Sequence, residues 1–249
     1  MKAFLLAAGL GKRLRPLTYQ RPKCLLPVSG KPLLNYWLSL CRRYGIDSLL
    51  INIHHHADQV VEYLHTVEKD GLQIKIFPEE QLLGSGGTLA ANIDFVREER
   101  EFLVLYADNL TNVDLDGLIR FHRSHNDLAT LGLFHSSMPQ QCGIVELDGT
   151  GRVRSFQEKP ARPRSDLANA GVLVMNPEIF TFFPKRRKFD LGLDVMPRLV
   201  GRMHGVVIRE YLQDIGTIEK YLDALRNWCG FEESRASDDY GHAVTGGPR

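Results

Sequence analysis

Lys2-Ala3-Phe4-Leu5-Leu6-Ala7-Ala8-Gly9-Leu10-Gly11-Lys12-Arg13-Leu14-Arg15-Pro16-Leu17-Thr18 is the stretch on which the reading of this chain turns. Its first half is a short apolar run and reads as a strand buried on both faces. Its second half breaks into glycines, which permit positive φ and close approach of the main chain. Successive backbone N–H groups in such a loop can cradle an anion. Lys12, Arg13, Arg15 and, a few residues on, Lys23 add charge that suits a polyphosphate, which arginine binds through two parallel hydrogen bonds. Spacing alone fits an ordinary strand-to-loop turn equally well. A Walker loop needs Gly-Lys-Ser/Thr where this chain has Gly11-Lys12-Arg13, and the dinucleotide fingerprint needs a third glycine where Leu14 stands.

Outward from this stretch, helical and strand patterns alternate. Pro32 opens a helix carrying Leu33, Leu34, Tyr36, Trp37, Leu40 and Cys41, with Gly45 as its stop. Residues 48–53 read as a buried parallel strand, 57–68 as an amphipathic helix and 72–77 as a third strand. Residues 87–95 read as a helix, 102–107 as a core strand, and 114–122 as a helix capped by Asp114. This alternation implies a parallel sheet with right-handed crossovers. From residue 128 the style changes to strands at 128–134, 143–147, 153–156 and 170–175, with Asp148-Gly149 as a turn. A helix is expected at 189–199, short strands at 206–208 and 211–212, and a last helix at 218–228.

Bulk properties narrow the function classes. The 249 residues suffice for one large α/β core. With 31 basic and 30 acidic residues the net charge is +1, which argues against a nucleic-acid binder. Cys24, Cys41, Cys142 and Cys229 are scattered, as expected of reduced packing thiols in a cytoplasmic protein. No apolar stretch approaches a membrane span.

The double motif Leu6-Ala7-Ala8-Gly9-Leu10-Gly11-Lys12-Arg13-Leu14-Arg15-Pro16-Leu17-Thr18 and Pro22-Lys23-Cys24-Leu25-Leu26-Pro27-Val28-Ser29-Gly30-Lys31-Pro32-Leu33 resembles the start of the sugar-1-phosphate nucleotidyltransferases. Further elements follow in the family's order: Leu83-Gly84-Ser85-Gly86-Gly87-Thr88, Ala107-Asp108-Asn109, Cys142-Gly143-Ile144, Glu158-Lys159-Pro160, Asn169-Ala170-Gly171 and Asp214-Ile215-Gly216-Thr217. Where relatives have Gly-Asp, this chain has Ala107-Asp108. The middle and end most resemble compact heptose and mannose 1-phosphate guanylyltransferases.

The resemblance implies a Rossmann-like three-layer α/β/α sandwich around a mixed, mainly parallel sheet. It implies one domain over residues 1–230, with a nucleotide-binding half at about 1–125 and a sugar-binding half at about 126–230. A polar, disordered tail is expected at 231–249. The implied reaction joins an NTP and a sugar 1-phosphate, releasing pyrophosphate. It needs positioning and charge neutralisation but no general base, because the nucleophile is already an anion. By the same resemblance Leu6, Ala8, Gly9, Gly11, Lys12, Arg13, Gly84, Ser85 and Gly86 hold the nucleotide, Arg13 and Lys23 taking its phosphates. Asn109, Gly143, Glu158, Lys159, Asn169 and Gly171 hold the sugar phosphate. Asp108 and Asp214 bind Mg2+.

Arg13, Lys23, Asp108, Lys159 and Asp214 form the expected catalytic set. The Ser85-Gly86 helix start favours acceptors on a ligand. Glu79 or Glu80 offers a carboxylate to guanine's N1–H and amine, favouring GTP over UTP, dTTP or ATP. A monomer or homodimer is expected, and a sensor that binds nucleotide sugars without turnover is the rival of a different class. Two clusters have bland readings. His54-His55-His56 point different ways at a strand end and do not share an ion. Lys185-Arg186-Arg187-Lys188 reads as a solvated loop.

Overall fold

The computed structural model describes residues 1–67 and 71–231. The expected tail lies outside them except for Phe231, which packs against Tyr36 and Trp228. Residue 68, the expected end of the second helix, also lies outside.

In chain order, β1 (Lys2–Leu6) leads through a loop of 3-10 turns to a small hairpin, β2 (Pro27–Val28) and β3 (Lys31–Pro32). Then come α1 (Leu33–Arg43), β4 (Ser48–Ile53), α2 (Ala57–Thr66), β5 (Gln73–Pro78), α3 (Gly84–Ala91) and β6 (Phe102–Tyr106). The second half holds β7 (Asn109–Thr111), α4 (Leu115–Arg123), β8 (Ala129–His135), β9 (Gly143–Leu147), β10 (Val153–Glu158) and β11 (Leu167–Met175). It ends with β12 (Met203–Val207), β13 (Leu212–Asp214) and α5 (Ile218–Asn227). The nine-stranded sheet runs β10-β9-β11-β6-β1-β4-β5, with β8 on β11 and β12 on β8. Pairs β1–β4, β1–β6, β4–β5 and β8–β12 are parallel; those made by β11 and the β9–β10 pair are antiparallel. The sheet is thus mixed, as expected.

Period-two alternation explains why β1, β4 and β6 are apolar throughout. Leu5, Leu49, Ile51, Leu103 and Leu105 pack on one face with Trp37 of α1, Leu64 of α2 and Leu118 of α4. Phe4, Leu50, Phe102 and Val104 pack on the other with Leu89 of α3. Each such large side chain, withdrawn from water, contributes roughly 1.5–3 kcal/mol.

Strand order reverses between β1 and β6. The chain steps from β1 outward to β4 and β5, then returns through α3 to β6 on the other side of β1. In open α/β sheets the crevice at the carboxyl ends of the strands, at such a reversal, is where ligands sit.

Several expected elements differ: β11 and β12 begin three residues early, at Leu167 and Met203. Residues 189–199 do not form an α-helix but a π turn, Leu191–Val195, followed by a 3-10 turn, Met196–Leu199. Met196 itself keeps helical φ/ψ, but Pro197 has no N–H to donate to the carbonyl four residues back, so the i→i−4 ladder breaks there and the apolar spacing of this segment is satisfied without an α-helix. The helix expected at 87–95 starts earlier, at Gly84, and gives way to a 3-10 turn at Ile93–Phe95.

Candidate active site

Asp108 follows β6 at the strand-order reversal, and Asp214 ends β13, more than a hundred residues later. Their meeting is a matter of register. β13 pairs antiparallel with β7, which sets Asp214 opposite Asn109, and Ile215 N donates to Asp108 O at 2.9 Å. Lys23, buried on a 3-10 turn, reaches between the two carboxylates. Its Nζ lies 2.8 Å from Asp108 Oδ2 and 3.7 Å from Asp214 Oδ1. Burial acts to raise the Asp108 carboxyl, but the charge and hydrogen bond of Lys23, the backbone and Arg13 outweigh it and hold the group below its usual value.

Arg13 belongs to the loop after β1. Gly11 makes that loop possible with φ +59°, and the Thr18 hydroxyl closes it by donating to Gly11 O at 2.8 Å. A Cβ on Gly216 would fall 2.7 Å from Asp214 Oδ2 and 2.9 Å from Arg13 Nη2. The glycine of Asp214-Ile215-Gly216-Thr217 therefore leaves room for both the Asp214 carboxylate and the Arg13 guanidinium.

Two cavities meet at Asp108. The first, about 320 Å³, is lined by Leu6, Ala8, Gly9, Lys23, Glu79, Gly84 and Ser85 among others. The second, about 370 Å³, is lined by Asn109, Gly143, Glu158, Lys159, Asn169 and Gly171 together with Arg13, Asp214 and Lys220. Ser85, Tyr106, Asp108 and Asp190 line both. The sequence-expected residues thus fall into two adjoining spaces in the groups expected, with exceptions: Gly11, Lys12 and Gly86 line neither, and Arg13 lines only the second.

A buried relay ties together the ends of β1, β4 and β5. Ala7 N donates to Asn52 Oδ1 at 2.7 Å, and Asn52 Nδ2 donates to Glu79 Oε1 at 2.8 Å. Glu79 also accepts from the Thr88 hydroxyl at 2.5 Å and from Leu83 N at 2.9 Å. Its carboxylate is therefore held by three protein donors, while Glu79 still lines the first cavity. Glu80 is exposed and lines neither cavity.

The first N–H groups of α3 are engaged as well. Those of Gly86 and Gly87 donate to Phe189 O at 3.1 and 3.0 Å, and that of Ser85 to Asp190 Oδ1 at 3.2 Å. The glycines let the helix press against residues 187–190, since a Cβ on Gly86 would meet the Phe189 ring at 2.3 Å. These donors secure the crossing of two segments instead of facing a ligand.

The second cavity is shaped by a defect in β11. The register against β8 shifts between Asn169 and Leu173, where Gly171 takes φ +68°. A Cβ there would lie 2.9 Å from Tyr106 and Asn109 atoms, while Asn109 Nδ2 donates to Ala170 O at 2.7 Å. Gly143 and Gly192 both adjoin Glu158 Oε2, which a Cβ would approach to 2.8 and 2.5 Å. Lys159, at φ +48°, is 65% exposed and pairs with Glu158 at 3.3 Å.

The His54–His56 rings each bond a different backbone carbonyl, of Glu79, Thr18 and Tyr19, at 2.7–2.9 Å. Residues 185–188 are exposed, although Lys188 also reaches the first cavity. Among the described residues, one further cluster has ligand-type atoms close together: His125, Asp127 and His204. It lies where β8 and β12 begin, at the far end of the sheet from Asp108. Its histidine rings stack at 4.2 Å rather than converge on one point, and Arg152 Nε already holds Asp127 at 3.0 Å.

Asp108 and Asp214 fit a divalent cation. They are hard oxygen donors from adjacent backbone, already converging on one ammonium; Asp108 lines both cavities and Asp214 the second. Sequence reading missed Tyr106, Asp190 and Lys220. Lys220 looks like any surface lysine of a terminal helix, and its spacing of six residues from Asp214 was the only available signal.

A family model described as nucleotidyl transferase matches residues 2–229. The UTP–glucose-1-phosphate uridylyltransferase of Synechocystis sp. is 32% identical over 245 residues, covering 91% of this chain and 63% of its own length. The mannose-1-phosphate guanylyltransferase of Mycobacterium tuberculosis is 33% identical over 224 residues, covering 88% of this chain and 62% of its own length. This chain therefore spans a little under two thirds of these relatives. A solved structure of a putative glucose-1-phosphate thymidylyltransferase from Bacillus anthracis superposes with a TM-score of 0.80 at 22% identity, covering 91% of this chain and 94% of that one, a likeness of fold.

Proposed function

This chain belongs to the nucleotidyl transferase family, and we propose that it joins a nucleoside triphosphate to a sugar 1-phosphate, releasing pyrophosphate. The observation that carries this reading is the Asp108–Lys23–Asp214 bridge at the border of two cavities. The triphosphate occupies the first cavity and the sugar 1-phosphate the second. A phosphate oxygen of the sugar 1-phosphate attacks the α-phosphorus. The bond from that phosphorus to the bridging oxygen breaks, and pyrophosphate leaves with the electron pair. No proton needs to move.

Lys23 holds the α-phosphate against Asp108 and Asp214, and Arg13, which lines the second cavity, neutralises charge at the border where the two phosphates meet. Glu158 and Asn169 orient sugar hydroxyls, with Lys159 on the sugar's phosphate. Gly9 allows the main chain to approach the triphosphate. A divalent cation held by Asp108 and Asp214, Mg2+ by its preference for one or two carboxylates plus phosphate oxygens, would supply positive charge where the two phosphates meet. We read residues 1–230 as one domain with its nucleotide-binding half first.

GTP with a mannose- or heptose-type 1-phosphate is the first pair to test, supported by the guanylyltransferase relative. The uridylyltransferase relative supports UTP as the second reading, and the engaged Glu79 carboxylate gives no support to guanine. The test is pyrophosphate release from four NTPs crossed with a panel of sugar 1-phosphates in Mg2+. Turnover with one or a few pairs is expected. Tight nucleotide-sugar binding without turnover by any pair would replace the enzyme with a sensor.

A further inference from the structure

Lys220 has no role in the reaction as described so far, yet it sits inside the site. It lies in the first turn of α5, whose N-cap Thr217 accepts from Lys220 N at 3.3 Å. That cap fixes where the side chain leaves the helix. Its Nζ donates to Asp214 Oδ2 at 3.0 Å, and the side chain is 20% exposed. A cation in the first turn of a helix opposes the macrodipole, so helix stability does not account for a lysine here.

The arrangement around Asp214 has two sides. Lys23 approaches Oδ1 and lines the first cavity; Lys220 holds Oδ2 and lines the second. Neither lysine lines the other's cavity. An ammonium thus stands on each side of the carboxylate, and each faces one of the two spaces that supply a phosphate to the reaction.

We propose that Lys220 binds the phosphate of the sugar 1-phosphate. This inference rests on the nucleotidyltransferase reading and deepens it. In the attack two anionic phosphates are brought together, and their repulsion is the main electrostatic obstacle. Lys220 offsets it on the nucleophile's side while Lys23 offsets it on the side of the α-phosphorus. Asp214 keeps the Lys220 side chain aimed across the cavity, so little rotamer freedom is lost when the phosphate arrives. Lys159, 65% exposed and paired with Glu158, supplies a more mobile charge to the same group.

Initial rates on the full chain test this, using the NTP and sugar 1-phosphate that give the wild type its highest rate in Mg2+. Lys220→Ala is expected to raise KM for the sugar 1-phosphate about tenfold to a hundredfold, the loss of one charge-assisted hydrogen bond. KM for the NTP should stay within about twofold, and Lys220→Arg should recover most of the loss. Calorimetric titration of the sugar 1-phosphate into each protein, without NTP, gives a readout independent of turnover and should weaken in parallel. Thermal melting shows whether each variant is folded; Lys220→Gln takes the place of Lys220→Ala if the latter is not. An unchanged sugar-phosphate KM in a folded variant would overturn the inference. So would an equal rise in both KM values together with a higher Mg2+ requirement, because Lys220 would then only prop Asp214. If the wild type releases no pyrophosphate with any pair, the functional reading falls and this inference with it.

Discussion

Lys23→Ala removes an ammonium shared by Asp108 and Asp214, at 2.8 and 3.7 Å. The lysine side chain is only 9% exposed, whereas the carboxylates are 44% and 30% exposed. A hydrogen bond between charged groups contributes about 1.5–3 kcal/mol net. Water screens the half-open carboxylates, which lowers the figure to about 1–2 kcal/mol. For a chain of this size that corresponds to a Tm drop of roughly 2–8 °C. The loss also has a pH signature. The Asp108 carboxyl is held below its usual 3.8 despite its partial desolvation in the cleft, chiefly by Lys23. A carboxyl held low contributes stability that is fully present above its unfolded value and fades as pH falls through the lower folded value. Without Lys23, burial is opposed less, Asp108 titrates higher, and the variant loses this contribution at a higher pH. Wild type and variant should therefore differ most at neutral pH and converge as pH falls below 3.8. Urea midpoints measured from pH 7 downward read this directly. A gap that widens on acidification, or a variant as stable as wild type at pH 7, would refute the reasoning.

Gly216→Ala places a Cβ 2.7 Å from Asp214 Oδ2 and 2.9 Å from Arg13 Nη2. Both neighbours are side-chain ends that can yield, so stability should change by no more than about 1 kcal/mol, while kcat/KM in the pyrophosphate assay falls at least roughly tenfold. Glu79→Ala leaves Leu83 N without its acceptor and takes one acceptor each from Asn52 and Thr88, which keep the longer bonds to Thr88 Oγ1 and Gly84 O. A stability loss of roughly 2–4 kcal/mol is expected by urea titration, with Glu79→Gln losing less. His125 is pushed down to about 4, first by burial and then by the charges of His204 and His122. It stays neutral in the fold, so stability should decline as pH falls from 6.5 toward 4, and His125→Gln should flatten that part of the profile.

β1, β4 and β6 were legible because both faces of each are buried, leaving a nearly continuous apolar run, whereas half-exposed β5 shows itself through Ile74 and Ile76. The motif residues of the second cavity were legible through resemblance, and they line one space. What escaped reading depends on the third dimension. Glu79 lies beside the glycine-rich segment and reads like a ligand contact, but only the fold reveals that Asn52 and Thr88 claim its carboxylate. The Ser85 and Gly86 N–H groups are claimed by residues a hundred positions away. Residues 189–199 carry helical apolar spacing, and Pro197 together with packing under α3 selects π and 3-10 turns instead. The pairing of β7 with β13, which unites the two aspartates, rests on a three-residue ladder too short to signal itself in sequence.

We expect Asp108 and Asp214 jointly to hold a divalent cation where the two substrates meet. Anomalous scattering from Mn2+ in crystals grown with the nucleotide-sugar product tests it most directly. One strong peak is expected within about 2–2.4 Å of oxygens from both aspartates, with the base in the first cavity and the sugar in the second. A peak bound by neither aspartate, or one at His125, Asp127 and His204 with the aspartates still closed on Lys23, would contradict it.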